Sequence, residues 1–65
     1  MLVERRILRT PEVLELTAIS RTTLWRRVRS GDFPPPLKLG GPDSKAVGWR
    51  RDDVEAWLDS RPSAA

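Results

Sequence analysis

The sequence predicts a small α+β fold: a winged helix-turn-helix with two short helices, a β-hairpin wing and a C-terminal helix. Three observations lead there. Two segments with helix-capping residues are joined by the short turn Thr17-Ala18-Ile19, the spacing of a helix-turn-helix. Two alternating apolar stretches, Leu37-Lys38-Leu39 and Val47-Gly48-Trp49, flank a run of turn formers, which is the pattern of a hairpin. Val54, Trp57 and Leu58 fall at i, i+3 and i+4, one apolar stripe on a last helix.

The 65 residues suffice for one domain, residues 1–65, with 1–6 and 61–65 expected to fray. A core of this size is thin and usually needs a staple. The sequence contains no cysteine and no histidine, so disulfides, thiolate metal sites and zinc-finger ligation are excluded. Trp25, Trp49 and Trp57 are the expected substitute, because each indole covers a large apolar area.

The first helix is expected at about Pro11 to Leu16. Thr10 reads as its N-cap, Pro11 suits the first helical position, and Glu12 favours the positive helix end. Val13, Leu14 and Leu16 are placed inward. Ahead of it, Ile7 and Leu8 read as an extended lead-in against the core. Ser20 caps a second helix of about Arg21 to Ser30, which Gly31 stops as a C′ residue. Pro34-Pro35-Pro36 cannot continue a helix, because proline lacks a donor and fixes φ. The run therefore forms an extended path with Phe33 anchored in the core; a polyproline ligand for another domain is the minor alternative. The hairpin places Leu37, Leu39, Val47 and Trp49 inward, with Gly40 to Lys45 as its turn. The last helix runs from about Arg51 to Ser60, and Pro62 ends it.

Charge is segregated along the chain. Residues 1–20 are neutral overall, whereas residues 21–31 carry Arg21, Arg26, Arg27 and Arg29 with no acid. Residues 32–51 add Lys38, Lys45, Arg50 and Arg51 against Asp32 and Asp43. The end is acidic, with Asp52, Asp53, Glu55 and Asp59 against Arg61. A basic centre points to a polyanion partner. On a helical wheel, Ser20, Leu24, Val28 and Gly31 share the core side. Thr22, Trp25, Arg26 and Arg29 lie opposite, with Arg21 on the flank. Solvated helix faces usually mix signs through i,i+4 pairs. A one-signed face repels itself unless an anion sits against it. Arginine can grip guanine O6 and N7 bidentately, and a threonine methyl can touch thymine.

The expected partner is therefore double-stranded DNA. Its expected recognition-helix contacts are Ser20, Arg21, Thr22, Trp25, Arg26 and Arg29. Arg21, Thr22 and Arg26 are assigned to base edges and Arg29 to phosphate. Trp25 either stacks on the DNA or lies on the first helix as part of the core. The wing contacts are Ser44, Lys45 and Arg50. For Arg50 and Arg51, phosphate contact and pairing with Asp52 or Asp53 stay open as alternatives. Copies of the chain are expected to bind cooperatively, the acidic end of one attracting the basic middle of the next.

Other classes fit less well. Asp52, Asp53 and Glu55 sit in the first turns of a helix, where the dipole accounts for them. Without histidine, cysteine or a phosphate-cradling loop they do not form a catalytic set, and no enzyme activity, cofactor or small-molecule ligand is expected. One phenylalanine and no tyrosine make a poor stacking platform for single-stranded RNA. A protein-interaction module using Trp25 and the proline run is the remaining alternative. No stretch has the length of a membrane span, and the opening residues meet charge by Glu4 and lack the apolar region of a secretion signal. A cytoplasmic protein is expected.

Several segments together resemble the AlpA-type regulators, within the wider group of excisionase-like, MerR-related winged helix-turn-helix proteins. They are Leu8-Arg9-Thr10-Pro11-Glu12-Val13, Ile19-Ser20-Arg21-Thr22-Thr23-Leu24-Trp25-Arg26, Gly31-Asp32-Phe33-Pro34, Val47-Gly48-Trp49-Arg50 and Val54-Glu55-Ala56-Trp57-Leu58. The resemblance covers about residues 7 to 60. It implies Ser20 to Arg29 as recognition helix and the loop around Lys45 as wing. It also implies a DNA-binding job in a mobile element: an excisionase that bends DNA beside an attachment site and recruits integrase, or a transcription regulator of prophage or island genes. The chain departs from the group in Trp25, where tyrosine is common, in its proline-rich connector and in a slightly long wing loop.

Overall fold

The computed structural model describes residues 6–62; the expectations for residues 1–5 and 63–65 lie outside it. The elements, in order, are β1 (Ile7–Leu8), α1 (Thr10–Thr17), α2 (Arg21–Ser30), β2 (Leu37–Lys38), β3 (Val47–Arg50) and α3 (Arg51–Asp59). The lead-in is a true strand. β1 pairs antiparallel with β3, which pairs antiparallel with β2, giving the order β1-β3-β2. This is the predicted α+β winged helix-turn-helix, with a third strand closing the base of the wing.

The helix ends follow from local chemistry. Ser20 Oγ accepts the Thr23 N–H at 3.2 Å, and Gly31 takes φ 86° at the other end of α2, a left-handed conformation that glycine adopts without the strain a side chain brings. α1 starts one residue earlier than expected. Arg9, extended at φ −84° and ψ 166°, is its N-cap, and the Glu12 carboxylate accepts the Arg9 N–H at 3.2 Å. Thr10, expected as the cap, is instead buried in the first turn. Leu16, expected inward, is 46% exposed, because Val13 fills the core-facing position of this short helix. Thr17 still belongs to α1, its hydroxyl donating to the Val13 carbonyl at 2.7 Å. The turn is made by Ala18, left-handed at φ 58°, where an L-residue is strained.

The core comprises Leu8, Val13, Leu24, Phe33, Trp49, Val54 and Trp57, with Leu14, Ile19, Trp25, Val28 and Leu58 packed around it. Two tryptophans act as staples in a literal sense. Trp49 Nε1–H donates to the Pro34 carbonyl at 2.8 Å, and Trp57 Nε1–H donates to the Asp32 carbonyl at 2.6 Å. The proline connector, whose prolines cannot donate, is thus held through its acceptors. Arg61, expected to fray, lies over the Trp57 ring at 4.4 Å and within 3.7 Å of Asp32.

The hairpin register corrects one expectation. Leu37 pairs with Gly48, and Lys38 with Val47. Directly opposed residues share a face, so Leu37 and Leu39 lie on the Gly48 side, away from buried Trp49. Leu39 is 39% exposed. A Cβ on Gly48 would meet Ile7 Cγ2 at 2.8 Å and Leu39 Cδ1 at 2.9 Å. Glycine thus lets Ile7 and Leu39 close over the outer face of the sheet. A shift of one residue in pairing exchanges faces, and alternation alone does not choose between the two.

Candidate nucleic-acid interface

α2 presents the predicted face. Arg21, Thr22, Arg26 and Arg29 are exposed, whereas Leu24 is fully buried. None of these three arginines forms an ion pair among the described residues. Arg27, the fourth arginine of α2, points elsewhere: it lies 3.9 Å from Asp32 and over the Trp57 ring at 5.6 Å. The helix thus separates one structural arginine from three open ones. Arg27 and Arg29 also sit in the last turn, where cations complement the helix dipole.

Trp25 is half-buried, its ring 5.6 Å from that of Trp49 and tilted by 51°. It therefore packs on the β3 tryptophan at the margin of the core and stays partly exposed. Ser20 is committed locally. Besides accepting the Thr23 N–H, its hydroxyl donates to Thr23 Oγ1 at 2.9 Å.

The wing loop is ordered by its own hydrogen bonds. Leu39 N–H donates to Ala46 O at 2.9 Å, closing the hairpin, and Ser44 N–H donates to Gly41 O at 2.9 Å across Pro42-Asp43, the arrangement of a β-turn with proline at its second position. Ser44 Oγ accepts the Ala46 N–H at 3.1 Å, so this hydroxyl shapes the loop. Lys45 is exposed at the tip and makes no ion pair among the described residues. Arg50 is exposed too, but at the far end of β3, as the N-cap of α3. Three residues of strand, about 10 Å, separate it from Val47, so Ser44 and Lys45 form one group and Arg50 another. Of the alternatives for the two neighbours, Arg51 takes a carboxylate, but that of Glu55 at 3.1 Å rather than Asp52 or Asp53.

Arg9 is a cation the sequence does not single out. It lies in the neutral stretch, yet its Nε–H reaches the Val47 carbonyl at 3.0 Å. Only the fold brings these residues together.

The groove beside α3 suits DNA poorly. This open groove of about 620 Å³ runs between the Pro34-Pro35 segment and α3, floored by Phe33 and Trp57 and rimmed by Asp32 and Asp53. Carboxylates there repel phosphate. Among the described residues no group of carboxylates is placed to hold a metal ion, and no helix is long and apolar enough to cross a membrane.

Comparison with known proteins identifies the family. The family model described as "Prophage CP4-57 regulatory protein (AlpA)" matches residues 6–62. The chain is 42% identical over 60 residues to the uncharacterized protein ORF88 of Enterobacteria phage P4, an alignment covering 92% of this chain and 65% of that protein. It is 36% identical over 62 residues to the DNA-binding transcriptional activator AlpA of Escherichia coli strain K12, covering 86% of this chain and 84% of the relative. No solved structure matches the chain.

Proposed function

Because the chain belongs to the AlpA family of prophage regulatory proteins, we propose that it binds double-stranded DNA sequence-specifically and regulates the genes of a mobile element. The observation that carries this is the outward face of α2, with Arg21, Thr22, Arg26 and Arg29 exposed and no acid within the helix. α2 enters the major groove, with Arg21, Thr22 and Arg26 at base edges and Arg29 at a phosphate. Trp25 offers its exposed edge to a sugar or thymine methyl. Ser20 holds the helix start in shape, and Lys45 reaches the minor groove or its backbone. The name of the Escherichia coli relative, a transcriptional activator, supports regulation of transcription as the direct role.

A single module of this size buries roughly 600–1,000 Å² on DNA and binds weakly alone. Several copies therefore act together, the acidic α3 side of one beside the basic surface of the next. The same charge separation favours a second role as an excisionase, in which an array of copies bends an attachment site and recruits integrase. The deciding experiment is a footprint on duplexes selected from a random pool. It is followed by a promoter reporter and an in vitro excision reaction, each with and without the protein. A selected consensus with altered promoter output supports regulation, and stimulated excision supports the second role. Failure to select any consensus overturns both.

A further inference from the structure

β1 and β3 form a ladder that ends abruptly. Arg51 N–H donates to Arg6 O at 2.7 Å, and Leu8 pairs with Trp49. In an antiparallel pair every second residue exchanges hydrogen bonds with the same neighbour, so the next rung would join residue 10 to Val47. The backbone cannot make it, because the chain has already turned into α1 at Thr10. The Val47 carbonyl would then face the missing strand unpaired. Arg9 supplies the rung from its side chain, Nε–H to Val47 O at 3.0 Å.

This leaves the rest of the guanidinium unused. Arginine carries five N–H donors in a planar fork, and among the described residues only Nε–H is engaged; the two terminal amino groups have no partner there. Arg9 is exposed, and Val47 is the first residue of β3 after the wing loop. A planar fork with one edge fixed presents its other donors in a set direction, the arrangement that recognises an anionic oxygen. The nearest acid by sequence, Glu12, accepts from the Arg9 backbone N–H.

We propose that Arg9 is a phosphate-binding residue at the base of the wing: Nε–H ties α1 to β3, and the terminal amino groups take a phosphodiester of the DNA strand running between the recognition helix and the wing. This rests on the reading of α2 and the wing as the duplex-binding surface. One side chain then sets the wing's position and the strand's position together.

Two substitutions separate the two roles. Glutamine places its amide nitrogen where arginine has Nε, so Arg9→Gln keeps a donor for Val47 while removing the charge and the terminal donors. Lysine has a methylene at that point and carries its cation beyond it, so Arg9→Lys keeps charge and loses the rung. The probe is a duplex selected from a random pool, titrated over a range of salt concentrations, with thermal melting of each free protein alongside. Arg9→Gln is expected to melt as the parent does and to bind with a salt slope less negative by about 0.9, one phosphate fewer. Arg9→Lys is expected to keep the slope and melt lower. Parental slope and affinity in Arg9→Gln would overturn the phosphate assignment while leaving DNA binding in place. A parent protein whose duplex binding did not depend on salt would instead remove the underlying reading, and the Arg9 site with it.

Discussion

Replacing Gly48 with alanine tests how Ile7 and Leu39 pack over the outer face of the sheet. In the structure an alanine Cβ would lie 2.8 Å from Ile7 Cγ2, 2.9 Å from Leu39 Cδ1 and 3.0 Å from the Leu8 carbonyl oxygen. The three obstacles differ in how readily they give way. Leu39 is partly exposed and can swing aside, Ile7 is β-branched and stiff at χ1, and the Leu8 oxygen belongs to the paired strand. Such overpacking costs about 1–3 kcal/mol, whereas relief from glycine's excess chain entropy returns roughly 0.5–1 kcal/mol. The net destabilisation is about 0–2.5 kcal/mol, and at about 4–8 °C per kcal/mol for a domain this small the melting temperature falls by up to about 20 °C. Far-UV circular dichroism on heating, with a urea titration of unchanged slope, measures it. If Ile7 and Leu39 did not close over Gly48, its Cβ would meet open space and alanine would stabilise the strand. A raised melting temperature would therefore refute this packing.

Two further substitutions probe the scaffold behind the interface. Ala18→Gly relieves the left-handed φ of 58° in the helix-turn-helix turn; with roughly 1–2 kcal/mol of strain set against about 0.5–1 kcal/mol of added chain entropy, stability rises by up to about 1.5 kcal/mol, read as a higher urea midpoint. Trp57→Phe removes the Nε1–H bond to Asp32 and shrinks the ring under Arg27 and Arg61. It leaves a carbonyl without its donor and costs about 1–3 kcal/mol, read in the same titration and by loss of melting cooperativity.

The legible parts of the molecule are those governed by neighbouring residues. Ser20, Gly31 and the Leu24–Val28 stripe define α2 from within the helix and its two caps, so its open face can be read from a wheel. Phe33, Trp49 and Trp57 are buried where large rings must be. The wing is different. Leu37-Lys38-Leu39 and Val47-Gly48-Trp49 alternate equally well in either register, and the choice depends on Ile7 arriving from the far side of the sheet. Arg9 is hidden for the same reason, since its partner Val47 is 38 positions away. Arg27 looks like Arg26 and Arg29 in sequence, and only Asp32 and Trp57 mark it as structural. At the start of α1, Thr10 is the better capping residue by type, but burial claims it and leaves the cap to Arg9.

The most direct test of the central claim compares the parent protein with Arg26→Ala on a duplex selected from a random pool and on a scrambled duplex of the same length, by fluorescence anisotropy at fixed salt. Arg26 is exposed and makes no contact that holds the fold, so the variant should melt normally. A base-edge contact worth about 1–3 kcal/mol predicts a loss of roughly 5- to 150-fold on the selected duplex and little change on the scrambled one. Equal affinities of parent and variant on the selected duplex, or a parent that does not distinguish the two duplexes, would contradict the account.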